Sequence, residues 1–244
     1  MVIARAPRRI LRESAIVFCT NLLTRTSGVL GSIPAPTDSR EIVVAGPSPH
    51  RILLLGSGVV AGYGLASHAL GAGGHLARYV SAETGYGVSL DVLPLPSLLL
   101  RFAPSHLSRL DLGGYDAVIL AAGINDAFGI TSRQEWRRSL ERTLRLLKAR
   151  PPVSRQIFLI SIADPTPSPL FRRRPSRRAS ARARAFNLVS GQLVHGDPEV
   201  IVIGFEIGPT TDRPRLYDSA SYLGWARQMG PRIIEGLARV RPGR

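Results

Sequence analysis

Four short segments of the chain are apolar at every position: Ile52-Leu53-Leu54-Leu55, Ala117-Val118-Ile119-Leu120, Ile157-Phe158-Leu159-Ile160 and Val200-Ile201-Val202-Ile203. Unbroken runs of this length, bounded by glycine or polar residues, mark strands covered on both faces. Val88 to Leu93 reads as a further strand. Between the strands lie helical stretches, at His75 to Glu83, near Ala183–Val194, and from about Ala220 to Val240. Another begins at Ser132, whose spacing to Glu135 forms a capping box, and runs to about Ala149, where Pro151-Pro152 stops it. Strands alternating with helices predict a three-layer α/β/α sandwich on a mostly parallel five-stranded sheet. Ligands of such sheets bind at the carboxyl ends of the strands.

Residues 1–48 read as a helical extension and linker, and residues 49–244 as the main domain. Arg8, Arg9 and Arg12 precede an apolar stretch from Ala15 to Leu23, as in a signal peptide. Thr20 and Asn21 interrupt that stretch, and no small-x-small cleavage site follows closely. Ile10, Val17, Leu22 and Val29 are helix-spaced, which favours an amphipathic helix; Pro34, Pro36 and Pro47 mark an extended connector. The expected location is the cytoplasm. No run approaches the roughly 18 apolar residues of a membrane span.

Composition narrows the chemistry. Cys19 is the single cysteine of the 244 residues, so an internal disulfide framework and a Cys-rich zinc site are excluded. His50, His68, His75, His106 and His195 show no metal-ligand spacing. No metal and no cofactor is expected. The net charge is +15, and 31 of the 32 basic residues are arginine, Lys148 being the exception. The arginines concentrate in the first twelve residues, in 133–150 and in 172–184, where seven occur without an acid. Aromatic residues do not interleave with them, and no helix-turn-helix or zinc-finger spacing appears, so no specific nucleic-acid partner is expected. The arginines read first as a solvated surface, with weak contact to an anionic membrane surface as the partner they allow. The segment 164–181, with four prolines and five arginines, reads as a disordered insertion, with a lid or docking surface as the alternative.

Two strand ends carry candidate chemistry. Gly56-Ser57-Gly58-Val59-Val60-Ala61-Gly62-Tyr63-Gly64 follows the first strand, and Gly123-Ile124-Asn125-Asp126 follows the third. A glycine-lined turn lets backbone N–H groups approach an anion, and an asparagine from the neighbouring strand end adds a neutral donor, as in an oxyanion hole. Gly56, Gly58, Gly123 and Asp126 are the candidate pocket residues, with Asp126 as a turn cap in the structural alternative.

From Arg51 to Arg239 the chain resembles the SGNH or GDSL hydrolases, flavodoxin-like proteins that hydrolyse or transfer ester-linked acyl groups. Ala121-Ala122-Gly123-Ile124-Asn125-Asp126-Ala127 is similar to the family's Gly-x-Asn-Asp block, which implies Asn125 as the oxyanion donor. Tyr222 and Trp225-Ala226 resemble the start of its closing helix. The catalytic triad is degenerate by the same comparison. Gly56-Ser57-Gly58 stands where the family has Gly-Asp-Ser, and Leu95-Pro96-Ser97 where it has a glycine N–H donor. The family's Asp-x-x-His falls on Asp218 and Ser221 in one register and puts Leu216 at the histidine in the other. Ser57 with His68 or His75 as base is the remaining nucleophilic arrangement. The resemblance implies a small acyl-ester or anionic ligand. Alternatives are a non-catalytic binder of such a ligand or of a partner protein, and a Rossmann-type nucleotide binder. Ser57-Gly58-x-x-x-Gly62-x-Gly64 has the glycine spacing of short-chain dehydrogenases, but Leu144 stands where their Tyr-x-x-x-Lys pair would need a tyrosine ahead of Lys148.

Overall fold

The computed structural model describes residues 34–149, 155–167, 176–207 and 217–240. In chain order the elements are β1 (Glu41–Val44), β2 (His50–Gly56), α1 (Ala72–Thr84), β3 (Val88–Pro94), α2 (Ala103–Leu107), β4 (Ala117–Ala121) and α3 (Ile124–Phe128). They continue as α4 (Arg133–Lys148), β5 (Gln156–Ile160), α5 (Ser176–Leu193), β6 (Val200–Ile203) and α6 (Ser219–Val240). The strands form one sheet in the order β1-β3-β2-β4-β5-β6. All neighbours from β3 to β6 are parallel, and β1 is antiparallel on the outer edge of β3.

The unbroken apolar runs are strands because helices cover both faces. Ile52 and Leu54 of β2, Ile119 of β4 and Phe158 of β5 meet α1 and α6 on one side. Leu53 and Leu55, Val118 and Leu120, and Ile157 and Leu159 meet α2, α4 and α5 on the other. Every second residue therefore serves a different core, and the middle of each central strand is apolar on both faces. Ser132 caps α4 as its spacing predicts, its Oγ accepting the Glu135 N–H at 3.1 Å. The Glu135 carboxylate does not complete the box; it turns to Arg101 at 3.0 Å.

Two expectations change. The sheet has six strands rather than five, because Glu41–Val44, in the segment expected as an extended connector, pairs with Ser89, Leu90 and their neighbours. Ile42 is 8% exposed and faces the core beside Leu90. The strand escapes notice in the sequence because it is four residues long and follows a proline-rich stretch. The helix near the carboxyl end of the arginine-rich segment starts at Ser176, earlier than Ala183. The helix expected in the amino-terminal extension lies outside the described residues. No helix among the described residues is long and apolar enough to cross a membrane.

Candidate functional site

Apart from the edge strand β1, the order β3-β2-β4-β5-β6 is that of a flavodoxin-like sheet. The chain leaves β2 to one side and returns to β4 on the other, so a crevice must open between the carboxyl ends of these two strands. Gly56 and Ala121 pair there in register. A Cβ at Gly56 would sit 1.8 Å from the Ala121 carbonyl oxygen, at φ +140°, so the two strand ends touch only because position 56 is glycine. The next residue, Ser57, donates its N–H to the same carbonyl at 2.9 Å. The two loops singled out in the sequence therefore leave the sheet side by side.

A cavity of about 80 Å³ lies at this rim, walled by Ser57, Gly58, Tyr63, Ala122, Ile162 and Phe205, with further apolar side chains around them. Ser57 is 3% exposed, and its Oγ has no hydrogen-bond partner among the described residues. A buried hydroxyl left unsatisfied costs about 1–3 kcal/mol, and one that faces a cavity is answered by whatever fills it. Among the described residues the cavity wall contains no histidine, carboxylate or arginine. Its chemistry is a largely apolar slot to which Ser57, Tyr63, Ser161 and Tyr217 add hydroxyl-bearing side chains.

The expected catalytic partners are placed elsewhere. Asn125, expected as the oxyanion donor, gives both amide hydrogens to backbone carbonyls, Pro96 O at 2.8 Å and Leu98 O at 3.0 Å. The segment 95–99 runs free of the sheet ladder, so its carbonyls need donors, and Asn125 supplies them from the first turn of α3. Asp126, expected in the pocket, is 1% exposed and absent from the cavity wall. It accepts the Leu100 N–H at 3.0 Å and the Thr131 hydroxyl at 2.9 Å. Burial pushes its carboxyl up to about 6, against the pull of those two bonds and of Arg101. Asn125 and Asp126 together form a clamp on residues 96–100.

His68 does not reach Ser57. It sits in the turn His68–Leu70, with its backbone N–H on Asp38 Oδ1 at 2.9 Å, and burial lowers its pKa. His75 Nε2 lies 2.8 Å from Ser219 Oγ, and Arg78 donates to its Nδ1 at 3.1 Å. An acceptor at Nδ1 forces the proton onto Nε2, so His75 donates to Ser219 and cannot take its proton. Burial, aided by Arg78, keeps this ring below the usual imidazole range and therefore neutral. Gly58 does line the cavity. Gly56 and Gly123 act one layer below: a Cβ at Gly123 would strike Ile162 and Trp136. Asp218 receives the N–H of Ser221 at 2.9 Å and its hydroxyl at 2.8 Å, the geometry of a helix cap at the start of α6. Leu216 lies outside the described residues.

Sequence reasoning missed the other half of the wall, Ser161 to Ala163 after β5 and Phe205 after β6. The rule that ligands gather at strand ends would have pointed there. Ser161 ties the two ends together, its Oγ accepting the Phe205 N–H at 2.8 Å. Among the described residues no group of three or more His, Cys, Asp or Glu side chains is placed to hold a metal ion.

Residues 54–232 match the sequence profile of the GDSL-like lipase/acylhydrolase family. A family two carbohydrate esterase from Cellvibrio japonicus superposes with a TM-score of 0.57 at 15% identity, over 81% of this chain and 64% of that one. A GDSL-like lipase from Bacteroides ovatus gives 0.59 at 15%, over 79% and 55%. A lipase/acylhydrolase from Enterococcus faecalis gives 0.57 at 20%, over 76% and 96%. The chain thus spans less than two thirds of the first two, and at these identities what is shared is the fold. No curated protein sequence matches the chain.

Proposed function

Because the chain belongs to the GDSL-like lipase/acylhydrolase family, we propose that it binds the acyl group of a small ester in the cavity between the β2 and β4 rims. In this reading the cavity binds the ester without an activated nucleophile, so hydrolysis or transfer stays at a background to which Ser57 does not contribute. The observation that carries it is Ser57, which lines a largely apolar cavity and whose buried Oγ has no hydrogen-bond partner among the described residues. Its hydroxyl donates to the ester or carboxyl oxygen of the ligand, and the aliphatic part lies against Ile162, Phe205 and Ile207. A serine without an adjacent base is a weak nucleophile at neutral pH. Binding and oxyanion donors alone leave an acceleration of about 10³–10⁴ in well-studied serine hydrolases, and here the Asn125 amide is already engaged. Nucleotide binding is not favoured: among the described residues the cavity wall offers a pyrophosphate no arginine.

The test is labelling with a fluorophosphonate alongside thermal denaturation with a short-chain carboxylic ester. Expected are no covalent adduct, a melting temperature raised by the ester, and loss of that rise in Ser57→Val. Background ester hydrolysis should be equal in wild type and Ser57→Ala. An adduct on Ser57, or hydrolysis abolished by Ser57→Ala, would show an activated nucleophile and overturn the proposal.

A further inference from the structure

Helices α4 and α5 are locked to each other, and their outward surface carries far more positive charge than the fold needs. The Trp136 ring stacks on Phe186 at 4.8 Å, and its Nε1–H donates to Ser190 Oγ at 3.0 Å, so the two helices form one plate. Nine arginines and Lys148 lie on these helices against two glutamates, Glu135 and Glu141. Both glutamates are taken, by Arg101 and Arg137 respectively, each at 3.0 Å. Arg133, Arg138, Arg142 and Arg145 of α4 and Arg177 and Arg178 of α5 are exposed and have no acidic partner among the described residues. Arg138, Arg142 and Arg145 follow the i, i+4, i+7 spacing of a single helical stripe.

Ile130 stands at one end of this plate and is 73% exposed, the most exposed of the large apolar residues described. It is held there. Arg182 of α5 donates to the carbonyls of Gly129 and Thr131 on either side of it, and the Thr131 hydroxyl is bonded to Asp126. A turn braced at both flanks presents its aliphatic tip by construction. Leu188, 67% exposed, lies one helical turn beyond Arg184 on α5.

We propose that the outer face of α4 and α5 docks on an anionic lipid bilayer, with its unpaired arginines on the headgroups and Ile130 inserted as an apolar prong. Unpaired arginines alone fit any polyanion. The braced aliphatic tip at the end of the plate, three residues before Arg133, fits the boundary between headgroup and acyl chain. No aromatic side chain is exposed on the plate for bases to stack on, as single-strand binders require.

The experiment is co-sedimentation of the full chain with vesicles of phosphatidylcholine, with and without phosphatidylserine. Binding is expected only with phosphatidylserine present and is expected to fall as salt is raised. The triple variant Arg138→Gln, Arg142→Gln, Arg145→Gln should weaken partitioning roughly 100-fold, at about fivefold per arginine. Ile130→Ser should weaken it on the order of tenfold through lost apolar burial. All four side chains are exposed, so unchanged melting temperatures will verify folding. Equal binding to both vesicle types, no loss in the triple variant, or no loss in Ile130→Ser would overturn the proposal. So would salt-sensitive binding to duplex nucleic acid without binding to vesicles.

Discussion

Asp126→Asn is expected to make the protein more stable at neutral pH and to remove a pH dependence that the wild type shows. Asp126 is 1% exposed, and its carboxyl is raised from 3.8 to about 6, chiefly by burial. A raised carboxyl binds its proton more tightly in the folded than in the unfolded chain, so the folded state is favoured while the group is neutral in both states. That advantage is present below about pH 4 and is lost as the pH rises through about 6. The shift corresponds to about 3 kcal/mol at most. Asparagine keeps an oxygen for the Leu100 N–H and an amide that Thr131 can accept by rotating its hydroxyl. Urea unfolding of both proteins from pH 4 to pH 8 reads the effect as a growing gap in favour of the variant. A gap that stays constant across that range would mean that Asp126 is already charged or already neutral throughout.

Gly56→Ala is expected to be the most damaging single methyl group that can be added at the rim. The new Cβ would lie 1.8 Å from the Ala121 oxygen and 2.6 Å from its carbonyl carbon, both backbone atoms of a buried strand, at φ +140°. Neither neighbour can rotate away, so β2 and β4 must separate, and with them the two walls of the cavity. The cost is about 4 kcal/mol or more, with a fall in melting temperature of roughly 10 °C or more. Gly58→Ala is the control. It also has positive φ, +63°, but the nearest atom to a Cβ is a methyl of Ile124 at 3.9 Å. It should cost only the 1–2 kcal/mol or so of the left-handed conformation. Equal destabilisation by the two substitutions would show that contact with Ala121 is not what position 56 avoids.

These two residues also mark how far the sequence could be read. The strands were legible because a sheet covered on both faces leaves an unbroken apolar run, and Ile52 to Leu55 can be little else. The crevice was legible too, since parallel strands ending in Gly56 and Gly123 must open on one rim. The roles of individual residues were not. Asn125 and Asp126 were recognised as a pair, but their side chains turn to residues 96–100, more than twenty-five positions away in sequence. No local pattern announces that Pro96 and Leu98 lack donors. His75 was a plausible base until Arg78, three residues on, claimed one of its nitrogens. Ser57 needed the opposite kind of information, namely that nothing described reaches its hydroxyl.

The short antiparallel strand β1 has a practical consequence for any attempt to trim the protein. The family match begins at residue 54, inside β2, and so omits it. A recombinant fragment begun at residue 49 would strip Glu41–Val44 from β3 and bare a row of main-chain donors and acceptors beside Leu90 and Val92. Exposed rows of that kind template intermolecular pairing. Light scattering should find such a fragment clumping under conditions in which one begun at Pro34 stays dispersed, making those four residues a guard against self-adhesion rather than a spacer.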